Sequence, residues 1–219
     1  MIKNYKKNLK ILKNNHVYSK DMEHDACGVG LVASTEGKKL RKIVEYGIEA
    51  LKAVWHRGAV DADGKTGDGA GIHVEIPYDF FSEKIETKGH KHDNSEICVG
   101  MIFLPRDNFS VQEDCKTIVE KELTISNFKI YGWRQVPINT KVLGVKANSN
   151  RPEITQILFK HNDKKLVDKD LERKLYEIRR KIENQIIKSN IEGFYICSLS
   201  SKSIIYKGMF LAEALSDFY

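Results

Sequence analysis

The sequence predicts an α+β protein in which helices cover sheets. Three observations carry that expectation. Two long stretches, 38–55 and 168–188, repeat apolar residues at three- and four-residue spacing, the signature of amphipathic helices. A near-continuous apolar run at 97–104 reads as a buried strand, and 128–136, 154–159, 194–199 and 203–206 add further strand patterns. Strands and helices interleave, with connections that leave much of the strand pairing open to an antiparallel arrangement.

Composition bounds the rest. A chain of 219 residues, 41% hydrophobic and 30% charged, suits a soluble globular protein with one substantial core or two small ones. No apolar run reaches transmembrane length, and the basic N-terminus has no apolar core behind it, so neither a membrane span nor a secretory signal is expected. The segment lacks Arg and carries Asp21, Glu23 and Asp25, which argues against a mitochondrial presequence. The chain reads as cytoplasmic. Its net charge of +6 is concentrated: residues 1–26 hold six lysines against those three acids. The remaining excess is ordinary, and no Arg-and-aromatic patch accompanies it, so no nucleic-acid partner is expected.

Residues 1–26 are polar, with scattered apolar positions that allow a short helix around 7–12 but no packed subdomain. They read as a disordered tail or a prosegment. At 27–33 an extended strand is expected, with Cys27, Val29, Leu31 and Ala33 on one side and Gly28 and Gly30 permitting close approach on the other. Ser34-Thr35-Glu36-Gly37 is a turn. The helix at 38–55 places Leu40, Ile43, Val44, Gly47, Ile48, Leu51, Val54 and Trp55 on one stripe, and Gly58 is its stop signal.

Residues 60–71 read as a glycine- and aspartate-rich loop, followed by a strand with Ile72, Val74 and Ile76 alternating, closed by Pro77. A short helix starts at Asp79, and 82–96 is a polar surface loop. Ser110-x-x-Glu113 fits a capping box opening the next helix, which carries Val111, Cys115, Ile118 and Val119. The strand at 128–136 closes at Pro137. The helix at 168–188 has Leu171, Leu175, Ile178, Ile182 and Ile186 as its apolar face. The strands at 194–199 and 203–206 are expected to pair as a hairpin across Ser200-Ser201-Lys202.

The four cysteines, Cys27, Cys98, Cys115 and Cys197, are too dispersed for a zinc knuckle or redox pair. Cys98, Cys115 and Cys197 sit in apolar patterns and read as small buried hydrophobes. Cys27 differs: it follows a dispensable-looking polar segment. By position alone the structural account is still favoured, but the chemistry of an N-terminal cysteine favours another. A free thiol of pKa ~8.5 is only a few per cent thiolate at neutral pH. Were Cys27 the first residue, its own α-amino group, pKa ~8, would lie beside the thiol and serve as base. A peptide nitrogen cannot. Cleavage between Ala26 and Cys27 would create the catalyst.

Several blocks in order, Cys27-Gly28-Val29-Gly30, His56-Arg57-Gly58-Ala59, Asp61-Ala62-Asp63, Thr66 to Ile72, Ile76-Pro77 with Phe80-Phe81, Phe194-Tyr195 with Ser198 to Ser201, and Ile205 to Met209, resemble the N-terminal class II glutamine amidotransferase domain of the glutamate synthase large subunit. The resemblance implies an N-terminal-nucleophile fold, a four-layer αββα sandwich, over 27–219. It implies that Cys27 is the mature N-terminal nucleophile and attacks the side-chain amide of glutamine. In the whole family enzyme the released ammonia travels to an FMN site and reacts with 2-oxoglutarate. The implied partners are glutamine, the remaining synthase domains and a small reductase subunit; FMN and an iron–sulfur cluster belong to the full-length enzyme, and no cofactor is expected in this chain. The sequence does not choose between NADPH, NADH and ferredoxin as electron donor.

Arg57 falls where the family's His-Arg-Gly motif approaches the nucleophile, so it is a candidate for orienting the cysteine or the substrate carboxylate. Asp68 is a second substrate-binding candidate, in a loop whose glycines permit unusual backbone angles. That loop lacks the Lys-Ser/Thr of a phosphate-binding loop and precedes a strand, which argues against the nucleotide reading. The family uses no Cys–His pair, so His56 reads as structural, although an unrelated cysteine hydrolase would use it as base. His90 and His92 have no metal-ligand partners at suitable spacing, and no metal is expected.

The family's oxyanion hole uses an Asn-Gly pair and its glutamine-binding Arg sits in an Arg-Phe-Ser-Thr-Asn block. Neither occurs in these 219 residues. The expectation is therefore a partial domain, incomplete at its C-terminus and inactive alone. A non-catalytic module of the same fold, kept for assembly, is the alternative.

Overall fold

The computed structural model describes residues 2–15, 27–54, 59–91, 97–163 and 165–219. Helix α1 spans Ile2–Asn14, longer than the 7–12 stretch expected from sequence. Helix α2 spans Arg41–Ala53; Ile43, Val44, Gly47, Ile48 and Leu51 are half-buried, as the stripe requires. It starts three residues later than expected, after an extended Leu40, and Trp55 and Gly58 lie outside the described residues. Strand β1 spans Thr66–Glu75 and helix α3 Tyr78–Thr87. The polar stretch expected to be a loop from 82 is thus helical to Thr87: Phe81 and Ile85, four apart, are both fully buried and anchor that face.

Strand β2 spans Cys98–Leu104, helix α4 Phe109–Ile125, strand β3 Phe128–Gln135, helix α5 Val145–Asn150 and strand β4 Glu153–His161. Asn108, not Ser110, caps α4: its side-chain oxygen accepts from the Val111 amide at 3.1 Å. Ser110 already lies inside the first turn, so the expected capping box is displaced by two residues. Helix α6 spans Asp168–Lys188 as expected, with all five of its predicted apolar residues buried. Strands β5, Tyr195–Ser200, and β6, Ser203–Phe210, lead into helix α7, Leu215–Phe218.

Both sheets are antiparallel. One has the order β3-β4-β2-β5; the other pairs β1 with β6. The expected hairpin is therefore not formed: β5 and β6 belong to different sheets, and the chain crosses between them at Ser200-Ser201-Lys202. Apart from Tyr195, β5 is buried on both faces, so it needs an interior position. The crossing is pinned by the Glu172 carboxylate of α6, which accepts from Ser200 Oγ at 2.9 Å and from Ser201 N and Oγ at 2.8 Å each.

Two cores follow. Cys98, Ile102, Leu104, Ile157, Phe159 and Ile196 face the apolar stripes of α4 and α6. Val99, Met101 and Leu158, on the other face of the same strands, pack with Ile204 and Phe210 of β6 and Phe81 and Ile85 of α3. Helix α2 rests on β1, where a Cβ at Gly47 would stand 3.3 Å from Ile72 Cδ1. The succession of packed partners is α4 and α6, the four-stranded sheet, the two-stranded sheet, and α2. No helix among the described residues is long and apolar enough to cross a membrane.

The segment 27–33 corrects an expectation. It forms no strand, and the side expected to be buried is open: Val29 is 88% and Leu31 92% exposed. A strand needs a paired neighbour for its amides, and the ladders of both sheets are made without it.

Candidate functional site

The glycine-rich stretch is the first strand of the second sheet rather than a loop. Gly67 and Gly71 explain how it fits there. A Cβ at Gly67 would stand 2.9 Å from the Phe210 carbonyl, and one at Gly71 2.9 Å from Tyr206 O. Only a residue without a side chain lets β1 approach β6 this closely. The register shifts between Thr66 and Ala70, and Gly69 between them has φ of 132°, a β-bulge that turns Asp68 outward.

The turn before β1 is built from its own aspartates. Asp63 Oδ1 accepts from Thr66 N at 2.7 Å and Lys65 N at 3.0 Å, and Oδ2 from Thr66 Oγ1 at 2.6 Å. These donors, the Thr66 hydroxyl foremost, hold the Asp63 carboxyl well below the usual carboxylate range. Asp61 Oδ2 pairs with Lys146 Nζ at 2.8 Å, which lowers its pKa in the same direction. Behind the turn, Asp68 N donates to Ala59 O at 3.3 Å and Val60 bridges Gly67, so the chain following the His-Arg-Gly motif lies along β1.

Asp68 is exposed and lines a cleft of about 670 Å³. One wall is the β1–β6 rim, from Asp68 to His73 and from Lys207 to Phe210. The other is the end of α5 with the residues after it, Ala147 and 150–152, and the floor is apolar, including Phe103 and Ile154. The structure thus brings Asp68 to a cleft but not Cys27, which is exposed and outside its lining. Gly30 nevertheless ties the Cys27 segment to α2, its Cβ position lying 3.8 Å from Ala50 Cβ. Arg57 and His56 lie outside the described residues, as does His92; His90 packs on the Tyr131 ring at 5.6 Å.

The other three thiols are buried. Burial pushes Cys115 up to about 11, with the Asp114 carboxylate adding to it, and pushes Cys197 up to about 11 against Lys207 and Arg179. Neither is a nucleophile at neutral pH. Sequence reasoning passed over α5 and Gly144 altogether. No motif marks Gly144; the fold does, since a Cβ there would stand 2.3 Å from both Asp63 Oδ2 and Thr66 Oγ1.

The family model described as glutamine amidotransferases class-II matches residues 27–219, beginning at Cys27. The chain belongs to that family. It is 53% identical over 218 residues to the NADPH glutamate synthase large chain of Azospirillum brasilense, covering all of this chain and 14% of that protein. It is 38% identical to the ferredoxin-dependent glutamate synthase of Pyropia yezoensis, over 96% of this chain and 14% of that one. Against the ferredoxin-dependent enzyme of Cyanidium caldarium the figures are 41%, 90% and 13%. The chain therefore spans about one-seventh of the length of these relatives. As a class-II amidotransferase it has the two packed antiparallel sheets expected of the N-terminal-nucleophile fold. The match to the Azospirillum protein covers this chain throughout and so reaches into the segment ahead of Cys27.

Proposed function

We propose that this chain carries the glutaminase half-reaction of a glutamate synthase, with Cys27 as its nucleophile. One observation carries the assignment to a residue: of four thiols, Cys27 is exposed and the other three are buried. Cleavage between Ala26 and Cys27 frees an α-amine, which takes the thiol proton. The thiolate attacks the amide carbon of glutamine, and the amine returns the proton to the departing ammonia. Water then opens the thioester and releases glutamate. Asp68, at the mouth of the cleft, offers a carboxylate to the substrate's ammonium group, and Arg57 a guanidinium to the cysteine or the substrate carboxylate.

In the complete protein 2-oxoglutarate would take up the ammonia, and FMN, an iron–sulfur cluster and a small reductase subunit would supply the reducing electrons. The residues of this chain do not fit a cluster: the described residues gather no group of three or more metal-binding side chains, and three of the four cysteines are buried. Those groups belong to the remaining domains. A chain of these 219 residues alone lacks the Asn-Gly oxyanion donors, whose loss costs about 10²–10³-fold, and turns over no glutamine.

The test is glutamine hydrolysis by the gene product that carries this chain. Cys27→Ala is expected to lower it by at least about 10³-fold, the scale of removing a covalent nucleophile. Wild-type turnover in that variant rejects Cys27.

A further inference from the structure

Helix α5 is six residues long and its N-cap, Gly144, has no side chain to offer. One of its first-turn amides is satisfied from elsewhere. Ala147 N donates to Thr66 Oγ1 at 3.2 Å. Thr66 Oγ1 in turn donates to Asp63 Oδ2 at 2.6 Å, so a hydroxyl 81 positions away, held by Asp63, does what an N-cap residue does locally. Thr66 is 2% exposed and Ala147 4%, which keeps water from competing for these bonds. The space is complete: no side chain fits at Gly144 without displacing both oxygens. The Lys146–Asp61 pair closes the same contact at the surface.

This contact joins the two walls of the cleft. Thr66 begins the strand that presents Asp68 two residues on, and Ala147 is itself a lining residue of the opposite wall. We propose that Asp63 and Thr66 are positioning residues, a cap supplied in trans that fixes the separation of the Asp68 wall from the α5 wall and so the fit of the substrate between them. The role rests on the glutaminase reading. The cap acts through the cleft walls and touches no reacting atom, so its loss registers in substrate binding before it registers in turnover.

Thr66→Val and Thr66→Ser test it in the gene product that carries this chain, with two readouts: glutaminase KM and kcat, and amide hydrogen exchange at Ala147. Thr66→Val keeps the shape and removes the acceptor. It is expected to raise KM for glutamine about tenfold with little change in kcat, on the scale of a small misplacement of binding groups, and to speed Ala147 exchange about fivefold, the loss of one capping bond. Thr66→Ser restores both. Faster exchange with an unchanged KM overturns the positioning role, and unchanged exchange in Thr66→Val overturns the cap. A parent without glutaminase activity overturns the function reading and the positioning role with it, while the exchange readout still decides the cap. Should Thr66→Val fail to fold, Thr66→Ala supplies the same two readouts, removing the same hydroxyl without adding bulk, with the same outcomes deciding.

Discussion

Cys27 and its three buried counterparts differ by environment rather than by chemistry. A thiol reacts as thiolate, and burial makes the thiolate expensive. Cys115 and Cys197, pushed up to about 11, stay protonated at neutral pH, and Cys98 is fully buried. Alkylation of the native protein at pH 8 followed by peptide mapping is expected to modify Cys27 alone; modification of Cys115 or Cys197 at a similar rate would contradict the burial account. Asp63 gives a second residue-level expectation. Its folded pKa lies below the unfolded value of ~3.9. The stabilisation it supplies is therefore fully present above about pH 4 and lost as the pH falls through the folded value. The stability gap between the parent and Asp63→Asn, read from urea midpoints, is expected to be largest near neutrality and to close below pH 4. A gap that widens with acid would show the sign to be wrong.

At the scale of elements, the helices were the most legible part. Helix α6 runs from Asp168 to Lys188 as its apolar spacing demands, because one stripe of five residues has a single face to bury. Helix ends were less legible. Both Asn108 and Ser110 are good caps by residue type, and only the backbone decides which of them is extended; Asn108 has φ −137° and ψ 93°. Asn108→Ala should accordingly cost about 1 kcal/mol in denaturant unfolding and Ser110→Ala much less. Equal costs would restore the displaced capping box. The glycine-rich stretch misled for a related reason. Glycines at 67, 69 and 71 read as loop by propensity, yet Gly67 and Gly71 are there because β6 backbone passes within van der Waals contact. Propensity cannot register a neighbour that is more than 130 positions away.

The whole molecule shows where pattern reading stops. Alternation in 194–206 locates two strands correctly but not their partners, since pairing across Ser200-Ser201-Lys202 and crossing between sheets give the same local pattern. What decides is long-range: the Glu172 carboxylate on α6 holding the crossing, and a β5 buried on both faces. Of the residues singled out in the sequence, Asp68 lies on a cleft, whereas Gly144 and α5 carried no motif and were visible only once the fold placed them beside Thr66. The Cys27 segment stands open at Val29 and Leu31, with Gly30 against Ala50 of α2. That segment is proposed as the start of the working enzyme, its α-amine created by cutting the chain. N-terminal sequencing of glutaminase-active gene product tests this most directly. The predicted result is a chain beginning at Cys27; active protein that still begins at Met1 would contradict it.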